Sequence, residues 1–125
     1  MLNASSPINE YIAFAHQTAL DKGWWETPKS FAEDIALMHS ELSEALEEYR
    51  THGCDPNKMI YTNEEDDLKR AGWEYKPEGI AVELADVLIR IFDVCGYHEI
   101  PLVDALILKM GYNTTRPHRH GGKKL

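Results

Sequence analysis

The chain has 125 residues, 43% of them hydrophobic, and a formal net charge of −8. That length fits one domain with one core, and the apolar share argues against a disordered chain. The acidic balance argues against a surface that grips a nucleic-acid polymer, and no apolar run approaches the length of a bilayer span, so neither a nucleic acid nor a membrane is expected as partner.

The opening residues 1–7 lack the basic and apolar regions of a secretory leader. Cys54 and Cys95 are too few for a disulfide framework. A cytoplasmic protein is expected on these grounds.

The first helix is predicted over about residues 7–21, with Ser6 as N-cap, Pro7 in the first turn and Gly23 past the end. It carries His16. Trp24 and Trp25 follow it. Aromatic faces at such a junction either stack a nucleobase or close the core. For Trp25 both readings stay open, as does the question whether His16 reaches the same cleft.

The second helix is predicted over about residues 28–50. Its apolar stripe is Phe31, Ile35, Met38, Leu42, Ala45 and Tyr49. The segment 51–76 then breaks the pattern. It is polar, carries the acidic run Glu64-Glu65-Asp66-Asp67, and has apolar weight only at Met59-Ile60-Tyr61 and Trp73-Glu74-Tyr75. It reads as a lid or binding loop holding either a short helix over 64–71 or a small hairpin of its two apolar patches.

The third helix is predicted over about residues 77–95, stopped by Gly96, with the stripe Ile80, Leu84, Val87, Ile91 and Val94. The fourth is predicted from Pro101 to about Thr114 and is apolar around most of its circumference. A helix of that kind is buried on more than one side. The expected fold is therefore all-α, a single four-helix bundle-like domain, completed as a homodimer or homotetramer.

Two acidic pairs stand out. Glu41 and Glu44 lie one turn apart on the second helix, and Glu83 and Asp86 lie one turn apart on the third. If the helices pack by their apolar stripes, the acids flanking those stripes converge. Converging carboxylates repel unless a cation neutralises them. All four are oxygen donors with no His or Cys at ligand spacing, which favours Mg²⁺, or Mn²⁺, over zinc or a di-iron centre. The same pattern also fits two solvated acidic faces.

Lys109, Asn113 and Arg116 share one face of the fourth helix. An ammonium, an amide and a guanidinium suit a phosphate chain, and equally suit the negative end of a helix. Residues 116–125 hold Arg116, Arg119, Lys123 and Lys124 without an acid, a basic tail on an acidic body.

The segments around these residues, His39-Ser40-Glu41-Leu42-Ser43-Glu44-Ala45-Leu46-Glu47-Glu48, Lys76-Pro77-Glu78-Gly79-Ile80-Ala81-Val82-Glu83-Leu84-Ala85-Asp86-Val87 and the ending Lys109-Met110-Gly111-Tyr112-Asn113-Thr114-Thr115-Arg116-Pro117, resemble the MazG-like all-α nucleoside triphosphate pyrophosphohydrolases. The likeness runs from about Trp24 to the end, with a longer connection between the two acidic pairs than compact members have. It implies Mg²⁺-dependent hydrolysis of an NTP or dNTP to the monophosphate and pyrophosphate. It assigns the metal to Glu41, Glu44, Glu83 and Asp86 and the phosphates to Lys109, Asn113 and Arg116. Glu41 or Glu44, with Glu48 as a neighbour, would activate the water. Two alternatives are a related enzyme acting on a phosphoribosyl nucleotide and a non-catalytic helical oligomerisation module.

Overall fold

Ser30 sets the start of the second helix. Its hydroxyl accepts from the Glu33 N–H at 3.1 Å, and the Glu33 carboxylate accepts from the Ser30 N–H at 3.0 Å. This reciprocal capping box satisfies two donors that the helix leaves unpaired. The helix accordingly begins at Phe31, three residues after the expected Pro28.

The computed structural model describes residues 2–62 and 76–118. In order they form α1 (Ile8–Asp21), α2 (Phe31–His52), a 3₁₀ turn (Pro56–Lys58), β1 (Tyr61–Thr62), β2 (Pro77–Glu78), α3 (Ile80–His98) and α4 (Leu102–Thr115). The all-α expectation holds, with one two-stranded antiparallel ribbon that pairs Tyr61 with Glu78 and Thr62 with Pro77. Among the described residues no helix is long and apolar enough to cross a membrane.

Several boundaries differ from the sequence reading. Pro7, not Ser6, occupies the N-cap position of α1, and no side chain caps that end. Pro77 and Glu78 belong to the ribbon rather than to α3. Gly79 makes that turn: its φ is +119°, and a Cβ there would overlap the Met59 carbonyl. The same carbonyl accepts from the Ala81 N–H at 3.1 Å, tying the first turn of α3 to the segment before β1. Gly96 does not stop α3, which continues to His98. A Cβ on Gly96 would lie 2.6 Å from His16 Cβ, so this glycine serves the close approach of α1 and α3. Of the two alternatives for segment 51–76, Tyr61 does enter a ribbon. The short helix over 64–71 and the patch Trp73-Glu74-Tyr75 lie outside the described residues, as do Glu64 to Asp67 and the tail beyond His118.

α3 is the central element, packed against α1 on one side and α2 on the other. The buried apolar residues are small: Ala19, Ala45, Val94 and Cys95. Among the described residues no large side chain is fully buried. The α2 stripe expected to face the core is largely turned outward, with Phe31, Ile35, Leu42 and Tyr49 all exposed. The line that faces α3 instead runs through Asp34, Leu37, Met38, Glu41, Ala45 and Glu48, all buried or half-buried. The acids therefore sit inside the helix contact rather than beside it. α4 touches the other helices only sparsely, and it leaves Ile107, Leu108 and Met110 at 67%, 74% and 64% exposure.

Candidate metal centre

Glu41 comes from the middle of α2, and Glu83 and Asp86 from the first two turns of α3. One carboxylate oxygen from each lies within 4.8 Å of the others. Ligand oxygens of an octahedral Mg²⁺ stand about 2.1 Å from the ion, so opposite ones are about 4.2 Å apart. Neighbouring ones are about 3.0 Å apart, so the three groups, spread over up to 4.8 Å, would draw together on one ion. Glu44, the fourth candidate, is exposed and stands outside this trio, although it is near enough to act on the protonation of Glu83.

The charges at this contact are poorly compensated by the protein itself. Burial pushes Glu83 up to about 7, helped by the hydrogen bond with Glu44 and by the charges of Glu44, Asp86 and Glu41. Asp86 is also raised, first by burial and then by Glu41 and Glu44, with Arg90 and Lys76 opposing. Glu83 Oε2 is buried without a hydrogen-bond partner among the described residues. An orphaned carboxylate oxygen among converging acids is what a site for a hard cation provides. The residues present fit an oxygen-liganded divalent ion.

A pH dependence follows. Between pH 4.5, the ordinary value for a glutamate, and about 7, the folded chain keeps a proton on Glu83 that the unfolded chain gives up. The folded state binds more protons in that window, so its stability falls as pH rises through it. Thermal unfolding in divalent-free buffer is expected to show this decline, and Glu83→Gln is expected to flatten it. A melting temperature that is level or rising across the window in the wild-type protein contradicts the reading.

The acids stand between two clefts. One, of about 240 Å³, is lined by Trp24, Lys29, Glu41, Asp86, Ile89, Arg90 and Asp93. The other, of about 420 Å³, is lined by Glu44, Glu47, Glu48, Thr51, His52, Tyr61, Lys76 and Glu83. A third, mostly apolar groove of about 490 Å³ adjoins the first, sharing Trp24, Asp86 and Ile89, and is walled by Tyr11, Phe14, Leu88 and Phe92. In the second cleft the Tyr61 hydroxyl donates to Glu48 at 3.0 Å. Burial and Glu48 together push the phenol up to about 12, so Tyr61 stays protonated and Glu48 stays engaged.

His16 and Trp25 meet at one carboxylate oxygen. The His16 Nδ1 and the Trp25 Nε1–H each lie 2.9 Å from Asp93 Oδ1, and Asp93 is buried. The Trp25 ring stacks on Tyr97 at 3.8 Å and 3°, and the Lys29 ammonium lies 4.4 Å above it. Its faces are taken within the chain. Trp24, 55% exposed, is the tryptophan that lines the cleft.

Lys109 and Asn113 stand one turn apart on α4, and Arg116 is its C-cap with extended backbone; none of the three lines the clefts beside the acids. Among the described residues no ion pair links them to Glu41, Glu44, Glu83 or Asp86. Lys109 lies instead over the Tyr112 ring, 5.1 Å from its centre.

Among the contributors to the first cleft, Arg90 and Asp93 are legible as part of the Glu83–Asp86 face, whereas Lys29 is not. Arg90 and Asp93 follow Asp86 at i+4 and i+7, so helical periodicity alone places them on its face. Lys29 gives no such signal, because it precedes α2 and reaches the cleft through a turn.

Comparison with protein families, with curated proteins and with solved structures finds no match. The functional reading rests on these residues and their geometry.

Proposed function

We propose that the protein is a divalent-cation-dependent nucleotide pyrophosphohydrolase, acting on (deoxy)nucleoside triphosphates in the manner of the MazG-like enzymes its motifs resemble. The observation that carries the reading is the convergence of Glu41, Glu83 and Asp86, with the charge of Glu44 acting on them, at a helix contact where Arg90 and Lys76 offset only part of the negative charge. Mg²⁺, or Mn²⁺, held there would neutralise the phosphate oxygens on which charge gathers during transfer.

The remaining parts come from this chain. In the proposed reaction water attacks the α-phosphorus, the bond to the α–β bridging oxygen breaks, and pyrophosphate leaves. Arg90 Nε donates to Glu41 at 2.8 Å and so occupies that carboxylate. Glu44 opens onto the second cleft, so we assign it the water. The apolar groove beside Trp24 suits a nucleobase and sugar, with the phosphates extending toward the acids. Assembly into a homodimer or homotetramer belongs to the same proposal. It would cover the apolar surface of α2 and α4, and it would let Lys109, Asn113 and Arg116 of one copy approach the site of another.

The test is pyrophosphate release from a panel of NTPs, dNTPs and a phosphoribosyl-ATP, with Mg²⁺ and with chelator. Mg²⁺-dependent release from a nucleoside triphosphate is expected. Release only from the phosphoribosyl nucleotide would assign the alternative substrate. No release from any member, with an unchanged melting temperature on adding Mg²⁺, would leave a non-catalytic helical module.

A further inference from the structure

Two cations stand on the wall of the first cleft, and each is held by a carboxylate. Lys29 Nζ lies 2.6 Å from Asp34 Oδ1. Arg90 Nε donates to Glu41 Oε1 at 2.8 Å. These are not ordinary surface pairs such as Arg50 with Glu47, where both side chains are about 70% exposed. Asp34 is 3% exposed, and its second oxygen is buried without a partner among the described residues. A carboxylate that deep is costly even when paired. The fold accepts that cost and thereby fixes the Lys29 ammonium between the Trp25 ring and the cleft.

The charge balance of the cleft points the same way. Lys29 and Arg90 face Glu41, Asp86 and Asp93. A divalent ion on the acids would offset two of the negative charges here, and it would compete with Arg90 for Glu41. A guanidinium carries several N–H donors in a planar fork suited to phosphate. Once Glu41 turns to a metal, that fork is left beside Lys29 on the wall of the cleft.

We propose that Lys29 and Arg90 are the phosphate-gripping pair of this site, and that the ligand they hold is a pyrophosphate-type chain of linked phosphates. The inference rests on the cation-site reading above. It places the grip within one chain, independent of α4.

The experiment titrates pyrophosphate into the full chain at saturating Mg²⁺, for wild type, Lys29→Met and Arg90→Gln. Lys29→Met alone leaves the buried Asp34 without its cation, so Lys29→Met combined with Asp34→Asn is run beside it, and circular dichroism checks the fold of every variant. Each substitution is expected to weaken pyrophosphate binding by about tenfold or more. Mg²⁺ titrated alone is expected to bind Lys29→Met as it binds wild type, and to bind Arg90→Gln more tightly because Glu41 has lost its competitor. A non-hydrolysable nucleoside triphosphate should show the same losses as pyrophosphate. Unchanged pyrophosphate affinity in both variants overturns the proposal, as does a loss confined to the nucleotide. Turnover followed in parallel separates the two claims: absent hydrolysis with intact pyrophosphate behaviour rejects the enzyme and leaves the pair standing.

Discussion

Glu83→Gln is expected to cut Mg²⁺-dependent pyrophosphate release by at least about a hundredfold, while making the metal-free protein more stable above pH 7. The two effects have one cause. Glu83 is the most strongly perturbed acid of the cluster, raised to about 7 by burial and by its acidic neighbours. When it ionises without a cation, the fold bears a half-buried charge surrounded by Glu44, Asp86 and Glu41. An amide of the same shape removes that charge and can donate to Glu44. Replacing buried charges with uncharged groups of similar volume is often stabilising, here by about 1–3 kcal/mol. Removing the same charge takes away a ligand the cation needs. A merely structural glutamate would lose stability when changed, and a solvated surface glutamate would change neither property. Steady-state kinetics and thermal unfolding with chelator, run on one preparation, check both arms.

The second large effect concerns α4. Ile107→Asp combined with Leu108→Asp is expected to turn an oligomer into a monomer and to lower the melting temperature by several degrees. Both side chains are more than 60% exposed in the single chain. Among the described residues, the fully buried apolar ones are two alanines, a valine and a cysteine. Covering a leucine or isoleucine is worth about 1.5–3 kcal/mol, so two such residues per copy, joined by the exposed stripe of α2, supply much of what a stable assembly needs. Light scattering on wild type and variant tests this directly. A monomeric wild type that melts cooperatively at high temperature would contradict it. If Lys109, Asn113 and Arg116 also complete a neighbour's site, turnover falls with dissociation.

The four helices were legible because their signals are local. Apolar periodicity and the prolines at 7 and 101 placed α1 and α4 within a residue of their ends. The approach of Glu41 to Glu83 and Asp86 was legible for the same reason, since spacing on a helix fixes a face; that Glu44 would stay outside the trio was not. What sequence could not show was which face of α2 turns inward. The stripe through Phe31, Ile35 and Leu42 is the more apolar one, yet the line through Asp34, Glu41 and Glu48 meets α3. An apolar stripe marks a surface to be covered but does not say whether the same chain covers it. Gly96 misled in a related way, because a glycine suited to ending a helix is equally suited to a close helix crossing, and His16 decides between them only in three dimensions. The Lys29–Asp34 pair, five residues apart across a helix start, has no sequence signature at all.

The central claim is that these two helices build a divalent-cation site. Its most direct test is the melting temperature of the full chain against Mg²⁺ concentration above pH 7, for wild type and Glu83→Gln. A ligand that binds only the folded state raises the melting temperature progressively with its concentration. The wild-type protein is predicted to climb in this way from a low metal-free value, and the variant to start higher and stay level. A wild-type curve that is flat with Mg²⁺ and with Mn²⁺, or two curves that rise in parallel, would contradict the site.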